Sequence, residues 1–236
     1  MLTFFRKIRK ALLDSGSLRR YLLYAVGEIA LVVIGILIAL QINNMNEERK
    51  DIIKEENILS ELMETLSLNI ERLDASSLDA SNRNESRDVI ISLFTERPAY
   101  TDSLQRHFFV SSLGYANSTL THGGYEMLKN EGFDIIRSDK LRKEIVNLFE
   151  ISYVDLTKEE MEKRSEVYVE DVARYLIENF SGRRVPNDYL KLLNDHFFVE
   201  NIFAMKQHES WLISQRSEAK EETQRVLQLI RDELEE

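Results

Sequence analysis

Hydrophobic and polar positions change their rhythm twice along this chain. From Tyr21 to Ile42 there is almost no rhythm: YLLYAVGEIALVVIGILIALQI is a continuous apolar run interrupted by one acid, Glu28. A bilayer core of roughly 30 Å is spanned by about 20 apolar helical residues, so the run predicts a transmembrane helix over 21–42. Leu22 to Gln41 holds twelve Leu, Ile or Val residues. At about −0.3 to −0.6 kcal/mol each they favour insertion by roughly 4 to 7 kcal/mol, against about +3 kcal/mol for an acid such as Glu28. A cleaved signal peptide fits less well, because its apolar core is about 7 to 15 residues long and ends in an A-x-A-like site. Ala39-Leu40-Gln41 is not such a site.

Beyond Ile42 the pattern becomes amphipathic. Residues 43–97, 133–181 and 187–236 contain no Gly or Pro, whereas residues 98–132 hold Pro98, Gly114, Gly123, Gly124 and Gly132. Long breaker-free stretches rich in charge predict long helices. In the first stretch Ile52, Leu59, Leu66 and Leu73 recur at intervals of seven, with Leu62, Met63 and Ile70 on the same side. That periodicity predicts a stalk rising from the span, with acids at Glu55 and Glu56 breaking any pure coiled coil. The Ser, Asp and Asn patch at 75–84 is expected to loosen it. The second stretch starts at Ser138 as N-cap, and the third starts at Asn187 or Asp188 and runs through Phe197, Ile202, Trp211 and Leu212 to Val226 and Ile230. The fold class expected is all-α: a transmembrane helix continuing into a stalk and an antiparallel extracytoplasmic helical bundle. Its segments are a basic amphipathic stretch at 1–20, the span at 21–42, the stalk and first bundle helix at 43–97, and the rest of the bundle at 98–236.

Charge supplies an orientation. Arg6, Lys7, Arg9, Lys10, Arg19 and Arg20 precede the span against one acid, Asp14, while residues 43–62 carry three bases among six acids. Bases near a span stay cytoplasmic, which predicts a short cytoplasmic N-terminus and a periplasmic C-terminal domain. Phe4, Phe5, Ile8, Ala11 and Leu12 recur at helical spacing among four of those bases, as in a helix lying among lipid headgroups, where each charge adds about 1 kcal/mol. Residues 1–42 carry six bases and two acids, so a chain of net charge −10 leaves −14 on the remainder, which argues against nucleic acid as a partner. With no cysteine there is neither disulfide nor thiolate chemistry.

The run RRYLLYAVGEIALVVIGILIALQINNMNE, Arg19 to Glu47, resembles the opening of a bacterial family of small single-span membrane proteins of unknown function. GGYEMLKNEGFDIIRSDKLRKEI, Gly123 to Ile145, resembles that family's recurrent segment, with Tyr125, Leu128, Lys129, Gly132, Ile136, Leu141 and Arg142 at matching positions. Met45 departs from it where the family shows Trp, removing an interfacial anchor and leaving the span intact. The resemblance implies an inner-membrane protein of a Gram-negative bacterium and supplies no mechanism.

Candidate chemistry is sparse. On a helix Tyr24, Glu28, Gly35 and Ala39 share one face, and Gly35 with Ala39 has the small-xxx-small spacing that lets helices approach closely. Glu28 there either fixes helix pairing or couples protons or ions in a channel-associated subunit. His107, His122, His196 and His208 form no H-E-x-x-H or i, i+4 His pair, so no metal and no cofactor are expected. Thr121-His122-Gly123-Gly124 lacks the further Gly and Lys of a phosphate loop. It reads as a helix start capped by Thr121 and tightly packed, with Tyr125 and Leu128 docking inward. Trp211 and Phe197-Phe198 read as core unless two of them share an exposed face. The expectation is a non-enzymatic protein of the inner membrane. Its partners are the lipid bilayer and a second copy or a membrane protein; periplasmic sensing through a partner is a further alternative.

Overall fold

A computed structural model of the chain describes residues 18–112, 114–167, 172–182 and 185–235. Among the described residues the chain is helical and has no strand; Phe180 and Pro186 form a lone antiparallel bridge. Helix α1 is Leu18–Glu96, α2 Leu104–Ser111, α3 Gly123–Glu131, α4 Asp139–Asn147, α5 Tyr153–Val167, α6 Ala173–Asn179, α7 Tyr189–Leu192 and α8 His196–Glu235. A 3-10 turn, Phe133–Ile135, follows α3, and a π turn, Leu148–Ser152, joins α4 to α5. The chain divides into two compact units, Met1–Lys54 and Glu55–Glu236, and α1 contributes to both.

In the first unit α1 is uncovered. Every large apolar side chain described between Leu22 and Ile42 is exposed, and this part of the helix is long and apolar enough to cross a membrane. In water so long an apolar surface would drive aggregation, so a hydrocarbon environment is its natural complement.

In the second unit α1 and α8 run antiparallel. Asp74 pairs with Lys220 and Asp88 with Lys206, so a step of fourteen residues up α1 is a step of fourteen down α8. The patch at 75–84 does not loosen. Ser76 and Ser81 turn their hydroxyls onto the carbonyls of Leu73 and Ser77, Arg83 pairs with Asp79, and Asn84 donates to Ser210 Oγ at 3.0 Å. Polar side chains that would compete with the helix backbone in water are here consumed by local and tertiary partners. At the far end Arg97 takes φ 47° and Pro98 follows, a left-handed exit that ends the helix.

Ser138 caps α4 as its sequence position predicts, accepting from Leu141 N. The third stretch differs from expectation: Asp188 caps only the single turn of α7, and α8 begins afresh after Leu193–Asp195. Asp195 Oδ1 accepts from Phe197 N at 3.0 Å and Phe198 N at 3.3 Å, so a second cap interrupts what the absence of Gly and Pro made look continuous.

Two separate apolar cores fill this unit. The first gathers Ile58, Leu62 and Leu66 of α1 with Tyr125, Leu128, Ile145, Phe149, Tyr153, Val226 and Ile230. The second gathers Ile90 and Leu93 with Phe108, Leu176, Phe180, Phe198, Ile202 and Leu212. A small cluster of Leu73, Leu156 and Ala219 lies beside the first core, and Leu120 packs against both.

Three buried tyrosines carry a pH dependence. Tyr125 donates to Glu150 Oε1 at 2.8 Å, and the Tyr153 hydroxyl lies 2.8 Å from Thr223 Oγ1. Burial, the largest cause in each case, pushes Tyr115, Tyr125 and Tyr153 above the ordinary phenol value. The folded state therefore holds these protons more tightly than the unfolded one. The stabilisation is fully present below the unfolded value of about 10 and is lost as pH rises through the folded values. Phenolate absorbance should rise in two steps, the later one coinciding with loss of helical circular dichroism. A single step near pH 10 with the helix intact would contradict this.

Candidate functional site

The face of α1 that carries Glu28, Gly35 and Ala39 shows an open surface rather than a formed pocket. Gly35 would place a Cβ with nothing within 4 Å, Ala39 is exposed and Glu28 is half-buried. The side chains of Tyr24 and Arg20 lie outside the described residues, as do Arg6, Lys7, Arg9 and Lys10; Arg19 is exposed. The face thus offers two small residues to a neighbouring helix, with Glu28 about two turns nearer the N-terminus.

The densest chemistry lies where no sequence motif announces it, in a polar layer between the two cores. Arg87, Glu209 and Arg216 are 0% exposed and Glu160 is 3%. Arg216 Nε lies 2.9 Å from Glu160 Oε1 and its Nη1 lies 3.7 Å from Glu209 Oε1, while Arg87 Nη1 lies 3.4 Å from Glu209 Oε2. Two guanidiniums and two carboxylates balance when all four are ionised. Burial is the largest influence on both members of the inner pair, pulling Arg87 down and pushing Glu209 up, with the opposite charge acting against it in each case. Charges sealed from water this thoroughly are tolerated only when paired and hydrogen-bonded.

Much of that hydrogen bonding goes to one extended segment, Gly114 to His122, which lies along α1. Its backbone is held by side chains. Glu209 Oε1 accepts from Ala116 N at 3.2 Å and Arg216 donates to the Ala116 carbonyl. Glu160 accepts from both Ser118 N and Ser118 Oγ, and Asn69 brackets Thr121, accepting from its N–H at 2.8 Å and donating to its carbonyl at 3.0 Å. Arg83 donates to the Gly114 carbonyl and Arg72 to that of Thr119 at 2.6 Å. The α1 contributors fall on one polar stripe, spaced by three, four or seven residues.

Where the segment enters α3 the two backbones touch. A Cβ on Gly124 would lie 2.7 Å from both the Glu61 carbonyl oxygen and Leu62 N, so only glycine fits. Thr121, expected as a cap, is instead clamped by Asn69, and Thr65 Oγ1 on α1 accepts from Gly124 N at 2.9 Å. Tyr125 and Leu128 do dock inward, at 2% and 0% exposure.

The histidines are scattered. His107 Nδ1 lies 3.4 Å from Ser86 Oγ, His122 sits edge-on to Phe149 and Tyr153, His208 stacks on Trp211 at 5.4 Å, and His196 lies on the surface 3.8 Å from Glu200. Among the described residues no group of three His, Cys, Asp or Glu side chains is placed to hold a metal ion. An open groove of about 180 Å³ beside the π turn is lined by Ser152, Asp155, Gln215, Glu218 and Glu222 over Ile151, Leu156 and Ala219, and it contains none of the histidines. Phe198 is buried, whereas Phe197 and Trp211 are about two-fifths exposed, four turns apart on α8.

The missed network had a faint signature. On α8 the positions Ile202, Glu209, Arg216, Thr223 and Ile230 are spaced by seven and all are buried. On α1 the series Leu59, Leu66, Leu73 continues through Ala80 to Arg87. Charged residues in register with an apolar heptad mark buried ions. Comparison of the chain with protein-family models, curated proteins and solved structures finds no match.

Proposed function

We propose that this is a single-span protein of the bacterial inner membrane whose periplasmic helical bundle works by binding other proteins, as a homo-oligomer or as an accessory subunit of a membrane complex. The observation that carries the reading is the uncovered apolar helix at 22–42, which belongs to the same α1 that forms a wall of the second unit. Basic residues before the span and acidic ones after it support an N-terminus in the cytoplasm. The buried quartet serves architecture: it is sealed from solvent, so neither its charges nor its hydrogen bonds are open to a ligand. The resemblance of residues 19–47 to a family of single-span inner-membrane proteins agrees with this placement.

Pairing within the membrane follows from the same reading, through the face of Glu28, Gly35 and Ala39. Because the chain has no cysteine, Gly35→Cys and Ala39→Cys variants report contacts without background. Oxidation in native membranes should give covalent adducts at these two positions and none at Val33 or Ile36 carrying cysteine on other faces. Equal adducts at all four positions, or none at any, would contradict a specific seam.

A further inference from the structure

The two apolar cores of the second unit share no residue, and between them along α1 and α8 lie Ser76, Arg87 and Arg216, with Glu160 and Glu209 paired to the two arginines. Cooperative folding spreads through continuous apolar contact, and here the continuity thins to Leu73, Leu156 and Ala219. The layer's hydrogen bonds can be exchanged for bonds to water, so it can part while either core stays shut.

The halves are also unequally built. The first core rests on α4, the π turn and α5, which follow one another without a break from Asp139 to Val167. The second relies on α2 and α7, of eight and four residues, each too short to persist without tertiary support. We propose that the second unit consists of two lobes sharing α1 and α8 and hinged at the buried charge layer, and that the second lobe opens while the first remains closed. This goes beyond the proposed function and does not depend on it. It assigns the capacity to rearrange to the half built around Phe108 and Phe198, and the fixed frame to the half built around Leu62 and Ile145.

Native-state hydrogen exchange on the full chain in lipid nanodiscs tests the hinge. In the unaltered protein, amides of Leu93, Ile202 and Leu212 should exchange through a smaller opening than those of Leu62, Ile145 and Val226. Phe108→Ala should accelerate the second-lobe amides by on the order of a hundredfold or more, the usual scale for a buried Phe, and leave the first-lobe amides within about twofold. If that variant loses the second lobe altogether, retained protection at Leu62 and Ile145 supports the proposal and loss of all protection overturns it. Leu128→Ala provides the converse, accelerating the first lobe and leaving the second lobe's own opening unchanged. Equal acceleration across both lobes by either variant would show one cooperative unit and overturn the hinge.

Discussion

Arg216→Met should destabilise the second unit by about 3–5 kcal/mol, the range seen when one partner of a buried ion pair is removed. Methionine keeps most of the side-chain volume, so the loss is one of charge and donors rather than of packing. Without the guanidinium, Glu160 and Glu209 face one another across a dry interior, and the carbonyl of Ala116 loses its donor. Repulsion and desolvation then act together. Since a domain of this size is stable by about 5–15 kcal/mol, the variant should stand near the edge of folding. Trp211, the single tryptophan, lies on α8 five residues before the substitution and reports urea unfolding directly. Arg216→Met combined with Glu160→Leu should recover part of the loss, because an apolar replacement of both partners leaves less buried charge unpaired. A double variant less stable than the single one would refute the ion-pair explanation.

The second large effect concerns the span. Arginine near the bilayer centre costs about 2.5–3.5 kcal/mol on an insertion scale, so Leu31→Arg with Ile34→Arg opposes insertion by about 5–7 kcal/mol before the two lost apolar side chains are counted. That matches or exceeds the roughly 4 to 7 kcal/mol that twelve Leu, Ile and Val residues supply. The doubly substituted chain should leave the membrane pellet under alkaline carbonate extraction, whereas the unaltered chain should stay in it. Leu31→Ala with Ile34→Ala, which removes apolar area without adding charge, should remain membrane-bound. Retention of the arginine variant would mean that the bilayer is not what holds this helix.

Legibility differs sharply between these two regions for a physical reason. A long apolar helix is a one-dimensional signal: about twenty apolar residues read the same whatever the rest of the chain does, and the helix expected over 21–42 is present and long enough to cross a membrane. Helix content was legible in the same way, through the absence of Gly and Pro from 43–97, 133–181 and 187–236. Helix boundaries were legible where one side chain decides them locally, as at Ser138. They were not where tertiary partners decide, since Asn84 and Ser76 look like helix breakers until Ser210 and Ser118 are set opposite them. The charge layer was hidden for the same reason. Arg87 reads as a solvated arginine unless its heptad register is followed from Leu59, and nothing local announces that Glu209 will meet it.

The entry into α3 shows what a sequence reading of glycines can and cannot assign. Gly123 and Gly124 read as a tightly packed helix start, with Thr121 as its cap. The close approach of Gly124 to the α1 backbone shows packing, and the side chains of Asn69, Arg72 and Arg83 supply the main-chain hydrogen bonds that secondary structure does not. The segment joins α1 to α5 and α8 through its backbone, so its exposed side chains, Asn117 and Thr119, are free to vary while its course is fixed.

The central claim, an anchored protein with its helical unit outside the cytoplasm, is tested most directly by cysteine labelling in intact cells. Single cysteines replace Ser15, before the span, and Gln224, on the exposed side of α8, in a chain that otherwise contains none. A membrane-impermeant maleimide should label the Gln224→Cys protein once the outer membrane is permeabilised, and label Ser15→Cys only after the inner membrane is lysed. Labelling of Ser15→Cys with Gln224→Cys protected would place the helical unit in the cytoplasm and contradict the account.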